Sequence, residues 1–166
     1  MRLVLLAGVA LVGLLAAVLP APAASLAQSV SASANIAAIA KLALTPASLL
    51  FPDADPDLSP SIPSSNGPIT ITAKARSSPG SQVTLTMLAN DDLRSGMDTI
   101  PIGALTWATT GNGFLNGTAS RTSSQTVATW VGSGTHVGTQ AFSLANTWQR
   151  AMGTYTVSLV YTLTAP

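Results

Sequence analysis

Six aspartates, one histidine and three tryptophans are the residues of this 166-residue chain whose side chains could catalyse a reaction or hold a ligand. Cysteine and glutamate are absent, which excludes thiol nucleophiles and disulfides. A catalytic or metal site would therefore have to use the aspartates or the single histidine. The aspartates form two groups, one of Asp53, Asp55 and Asp57 and the other of Asp91, Asp92 and Asp98.

Asp53, Asp55 and Asp57 alternate along a proline-rich stretch, and alternating carboxylate oxygens can wrap a calcium ion. However, the stretch lacks the glycine and the distal glutamate of an EF-hand loop, and Pro56 stiffens it. We favour solvated turn aspartates over this calcium site, and we expect no other cofactor. A glycosidase built on two of the aspartates is a further alternative.

His136 lies in the glycine-rich residues 132–138, with no metal-ligating residue at a short spacing. A lone histidine defines no catalytic geometry, so it is predicted to be a solvated loop residue rather than a general base. The sequence also lacks the Gly-x-Ser-x-Gly elbow of a serine hydrolase. We therefore predict a protein that is not an enzyme.

The three tryptophans, Trp107, Trp130 and Trp148, each follow a threonine and precede a glycine turn by a few residues. The interpretation we favour is architectural, in which a bulky ring caps the end of the fold and glycine supplies the turn. The alternative is that exposed rings form a platform on which sugars stack.

The N-terminus has the layout of a secretory signal peptide. Arg2 precedes an uncharged run from Leu3 to Leu19, and small residues up to Ala27 follow. The run has 17 residues, fewer than the roughly 20 that a membrane-spanning helix needs. We predict cleavage after Ala27, with Ala23 as the alternative site, and no membrane span in the exported protein.

Cleavage after residue 27 leaves six basic residues against six aspartates, so the formal net charge is zero. The basic residues do not cluster in the sequence, which argues against a nucleic-acid partner. A net charge near zero also removes a barrier to self-association.

Threonine and serine alternate with apolar residues at period two, which predicts half-buried β-strands. The first such stretch spans residues 29–44, where Val30, Ala32, Ala34 and Ile36 alternate with polar residues. The other predicted strands are residues 69–76, 83–88, 100–108, 126–131, 139–145 and 155–164.

Five prolines between residues 52 and 68 predict a loop over open surface, because proline cannot donate to a sheet ladder. Short strands separated by Gly, Pro and Asn loops predict an all-β fold. We expect a single antiparallel β-sandwich of seven to eight strands, immunoglobulin-like, over residues 28–166.

The export signal, the Thr/Ser-rich strands and the last strand together resemble the layout of bacterial cell-surface and pilus-type β-sandwich proteins over residues 28–166. Surface domains of the WxL type share this layout, although here no tryptophan has a leucine two residues later. Cysteine-free fimbrial subunits similar to colonisation-factor pilins also begin with an alternating strand and end in a Gly-x-Tyr strand, here Ser29–Ile36 and Gly153–Leu163. The resemblance implies a secreted or surface-displayed protein.

The leading hypothesis is a non-enzymatic structural or adhesive module. Its partners would be other copies or other surface proteins, joined by β-strand pairing in which residues 29–36 complete a neighbouring sandwich. The alternative for this segment is pairing within its own sheet, which we favour at this stage. The competing function is a carbohydrate-binding module that uses the three tryptophans.

Overall fold

The computed structural model describes Leu26 and residues 28–166. Apart from Leu26, the predicted signal peptide over residues 1–27 lies outside the described residues. Asn35–Pro166 form one unit with a common core. In the part of the chain that the structure describes, no helix is long and apolar enough to cross a membrane.

The described residues form eleven strands and one 3-10 turn, Ile102–Ala104. Seven of these strands are six residues or longer, which agrees with the predicted number. The strands are β1 (Ile39–Thr45), β2 (Ser61–Pro63), β3 (Ile69–Arg76), β4 (Gln82–Ala89), β5 (Leu93–Ser95), β6 (Asp98–Ile100), β7 (Leu105–Thr110), β8 (Gly117–Thr118), β9 (Gln125–Val131), β10 (Gly134–Ala145) and β11 (Leu159–Thr164).

The strands build two antiparallel sheets that pack face to face. The larger sheet has the order β1-β3-β10-β7-β8, with β2 paired to the end of β10. The smaller sheet has the order β11-β4-β9, and β5 and β6 form a separate hairpin. All pairings are antiparallel, so the predicted all-β sandwich is confirmed.

The core lies between the two sheets and is set by the period-two patterns of β3 and β4. In β3 the odd-numbered residues Ile69 to Ala75 are buried, and in β4 Val83, Leu85, Met87 and Ala89 are buried. Burial of each larger side chain stabilises the fold by about 1.5–3 kcal/mol. These two strands begin and end within one residue of the predicted positions.

Four predicted strands differ from the structure. The strand predicted for residues 100–108 is interrupted by the 3-10 turn, and β7 covers Leu105–Thr110 instead. The first strand covers only Ile39–Thr45, and residues 28–38 lie in no strand. The last begins at Leu159, because Thr156 makes only an isolated bridge to Arg94. The strand predicted for residues 139–145 extends back to Gly134 as β10. The prediction of a loop around His136 was therefore wrong, because glycines 134 and 138 are accommodated within a strand.

Candidate functional site

The side of the sandwich between β1 and β11 is open. Each of these strands is the last of its sheet and has one edge with no neighbouring strand among the described residues. A cleft of about 410 Å³ lies between them, which we call the side cleft. It is lined mainly by apolar side chains of Leu44, Leu49, Phe51, Leu93, Leu105, Tyr155, Val157, Leu159 and Tyr161.

The side chains of β1 and β11 beside the side cleft are only half buried, unlike those of the central strands. Leu42 and Leu44 of β1 pack against the core but remain partly exposed. The same holds for every second residue from Tyr155 to Leu163 in and before β11. On the neighbouring strand β4, the inward residues are at most 1% exposed. The core is therefore left incompletely covered along this side.

The opposite side of the sandwich is closed. There the segment between β7 and β8 runs along the outer edge of β9. Leu115 donates its backbone N–H to Val127 at 2.8 Å, and Thr129 donates to Gly113 at 2.9 Å. Phe114 is buried and bridges to Ala128. The closed side therefore differs from the side between β1 and β11, where apolar side chains lie beside strand edges that lack a partner among the described residues.

The free edge of β11 carries no charge, since residues 151–166 contain no charged side chain. Sheet edges in soluble proteins are usually protected by lysine, proline, a bulge or a covering element. The edge strand β1 has such a lysine, the exposed Lys41. The β11 edge therefore lacks the protection that Lys41 gives to the β1 edge.

A buried polar contact joins the two sheets beneath the side cleft. The Tyr161 hydroxyl donates a hydrogen bond of 2.7 Å to Oε1 of Gln140, which is fully buried in β10. Burial raises the pKa of the Tyr161 phenol above its usual value, so the hydroxyl keeps its proton in ordinary buffers. This contact fixes the position of β11 relative to β10.

The segment before β1 has the pattern of a strand but no strand partner. Residues 28–38 are exposed and lie outside any strand, with Val30 at 96% and Ile36 at 68% exposure. Pairing of residues 29–36 within their own sheet is the arrangement predicted from the sequence. In the structure the sheet begins at Ile39, so that pairing is absent from the described residues.

The three tryptophans lie in different environments. Trp107 is buried, donates its indole N–H to the Leu115 carbonyl at 2.9 Å and packs against Phe142. Trp130 is 8% exposed and stacks on His136 with ring centroids 4.2 Å apart. Only Trp148 presents an exposed ring, at 69% exposure. Its indole N–H donates to Asp57 at 3.0 Å.

Two or more aspartates of each group make local structural contacts. Asp55 accepts the backbone N–H of Asp57 and so closes a turn. Asp91 binds Arg94, and this hydrogen bond lowers the pKa of the Asp91 carboxyl below its usual value. Asp92 pairs with Arg121 at 3.2 Å. No group of three or more aspartate or histidine side chains within the described residues could hold a metal ion. Calcium at Asp53, Asp55 and Asp57 stays a prediction.

The fold assembles a cluster of positive charge that is not apparent in the sequence. Lys41 lies directly opposite Lys74 in the β1–β3 register, and Arg76 lies two residues further along the same face. All three are exposed and surround a depression of about 300 Å³. We call these three residues the basic patch. They are up to 35 positions apart in the chain, and only the strand register could have revealed them.

No known family model matches the chain, and no curated protein matches it.

Proposed function

We propose that this protein is a non-enzymatic structural module of an exported surface assembly. Copies join by strand addition, in which residues 29–36 of one copy pair with the free edge of β11 in the next. The observation that carries the proposal is the uncharged, unpaired edge of β11 beside half-buried apolar side chains. Export is the expectation drawn from residues 1–27.

The donor segment and the acceptor edge have complementary patterns. Main-chain hydrogen bonds would supply the affinity of an added strand, and alternate side chains would enter the side cleft. In residues 29–36 the even positions are apolar and the odd positions are polar. In the added strand, the side chains of Val30 and Ile36 would therefore point into the side cleft, on the same face as the inward side chains of β11. The serines would point toward solvent.

Two matched variants test the proposal. Val30→Asn with Ile36→Asn changes the apolar face of the segment, and Ser31→Asn with Ser33→Asn changes the polar face. Burial of a Val or Ile side chain contributes about 1.5–3 kcal/mol, so the first variant should associate about a hundredfold more weakly or worse. The second should associate like the unchanged protein. Size-exclusion chromatography with light scattering gives the mass of each.

Both variants should keep the fold, because the changed residues are exposed and lie outside the strands. Thermal unfolding of each variant checks this. A monomeric unchanged protein, or equal association of both variants, would contradict strand addition.

The second candidate function is glycan binding at Trp148. The observation that favours it is the exposed indole ring, whose N–H is held by Asp57. Sugar stacking on this ring should shift tryptophan fluorescence during titration with cell-wall or plant polysaccharides, and Trp148→Ala should abolish the shift. The buried Trp107 and Trp130 provide the background signal. A shift that survives Trp148→Ala would assign binding to another site.

A further inference from the structure

The charged residues of this protein are segregated between the two ends of the sandwich. β1 begins at Ile39 opposite Arg76, and β10 begins at Gly134 opposite Ala75, so both strands start at one end. The basic patch lies near this end, which we call the basic end. The long strands that run between this end and the opposite end are six to twelve residues long, roughly 20–40 Å.

All six aspartates lie at the other end, which we call the acidic end. Asp53, Asp55 and Asp57 follow β1, in a loop that Asn146 anchors through the Ala54 carbonyl at 2.9 Å. The other three follow β4, whose last residue pairs with Leu159 at the start of β11. Arg94, Arg121 and Arg150 are also here, so the acidic end has a formal charge of −3 and the basic patch one of +3.

Among the described residues, no acidic side chain lies at the same end of the sandwich as the basic patch. Lys41 and Lys74 are direct cross-strand neighbours, and like charges in this position destabilise a sheet. Neither lysine nor Arg76 forms an ion pair there, whereas Arg94 and Arg121 both do. An anionic partner would remove this repulsion.

The end at which the N-terminal segment leaves the sandwich decides which ends of neighbouring copies would come together. The segment that precedes Ile39 leaves the sandwich at the basic end. The side cleft lies at the acidic end, where Leu49, Phe51 and Tyr155 line it. β11 runs from the acidic end to the basic end. A donated segment that pairs antiparallel to β11 would therefore leave the acceptor at its acidic end and bring the basic end of the donor close to it.

We propose that the basic patch docks on the acidic end of the next copy and so imposes head-to-tail order on the assembly. This inference rests on the proposed strand addition, to which it adds the second contact and the polarity. The occupant of the basic patch is a second copy of this chain. The acidic end of that copy has a charge of −3, which is opposite to the +3 of the basic patch. Strand addition brings this acidic end close to the patch.

A charge swap tests the contact in the full exported chain. Lys41→Glu with Lys74→Glu makes the basic patch acidic. Asp53→Lys with Asp98→Lys makes the acidic end basic, and both aspartates are exposed. Each variant alone should associate about tenfold more weakly or worse, whereas an equimolar mixture should regain association, because opposite charges again face each other. Analytical ultracentrifugation measures all three samples.

Salt provides an independent measurement. Exposed charges are screened over about 10 Å at 0.1 M salt and about 3 Å at 1 M. Association of the unchanged protein should therefore weaken by about tenfold or more across this range. Recovery in the mixture together with this salt dependence would support the docking.

The failure of docking is distinguishable from the failure of strand addition. If Val30→Asn with Ile36→Asn abolishes association but the charge swap and salt have no effect, the docking is wrong and strand addition stands. If the Asn variant associates normally while the charge swap behaves as expected, strand addition is wrong. If the swap variants associate weakly and mixing does not restore association, the basic patch of one copy does not dock on the acidic end of the next.

Discussion

Individual residues in this protein are constrained most strongly where a side chain closes the sandwich. The Trp107 ring fills the closed side and donates to the Leu115 carbonyl. It packs directly over Gly117 in β8, so a Cβ atom at that glycine would overlap the ring. The glycine is needed for close approach rather than for an unusual backbone angle. The architectural interpretation therefore accounts for Trp107, although the ring lies in the core rather than capping an end.

Gly117→Ala should destabilise the protein by about 1–3 kcal/mol, the usual cost of overpacking a core. The matched control is Gly103→Ala, because a Cβ atom there meets nothing within 4 Å and the backbone is unstrained. The control should change the free energy of unfolding by less than about 0.5 kcal/mol. Urea unfolding followed by tryptophan fluorescence measures both. Equal stability of the two variants would show that the Trp107 ring moves aside without cost.

At the scale of secondary-structure elements, the alternation of apolar and polar residues at every second position was enough to predict the strands that have one buried face. Strands β3 and β4 alternate strictly between buried and partly or fully exposed residues, and their bounds agree with the predicted ones to within a residue. The start of β10 could not be predicted, because its glycines resemble turn residues in a single sequence. In the sheet, a Cβ atom at position 138 would overlap the Thr110 carbonyl and the Phe114 ring. Gly138 is therefore needed for close packing within the strand rather than for a turn.

The predicted first strand shows the limit of pattern reasoning more clearly. Residues 29–36 alternate as well as β1 does, yet only residues from Ile39 pair with β3. A pattern records that one face can be buried, but it does not say against which chain. The same limit applies to the basic patch, since Lys41, Lys74 and Arg76 become neighbours only through the β1–β3 register.

At the scale of the whole molecule, the sandwich is asymmetric in two respects. One long side of the sandwich is covered by Phe114 and Leu115, and the other leaves the row from Tyr155 to Leu163 half exposed. Charge is likewise divided between the two ends. Under the proposed function, a single copy is an incomplete sandwich, and its missing strand is supplied by the next copy.

An incomplete sandwich should gain stability from a strand added in trans. The acceptor is the full exported chain with Val30→Asn and Ile36→Asn, which cannot donate to itself. A synthetic peptide of residues 28–38 should bind the β11 edge and cover the half-buried side chains of the side cleft. At a peptide concentration 100 times its dissociation constant, binding stabilises the acceptor by about 2.7 kcal/mol. The expected rise in Tm is roughly 5–15 °C for a domain of this size.

The control peptide has the same composition, but its order places the apolar residues at consecutive positions. It offers the same hydrophobicity without a face that can enter the side cleft, because side chains alternate along a strand. A differential scanning measurement should therefore give a rise in Tm with the native order alone. Equal shifts with both peptides would mean that the cleft binds apolar chains without strand register, and the proposed assembly would lose its specificity.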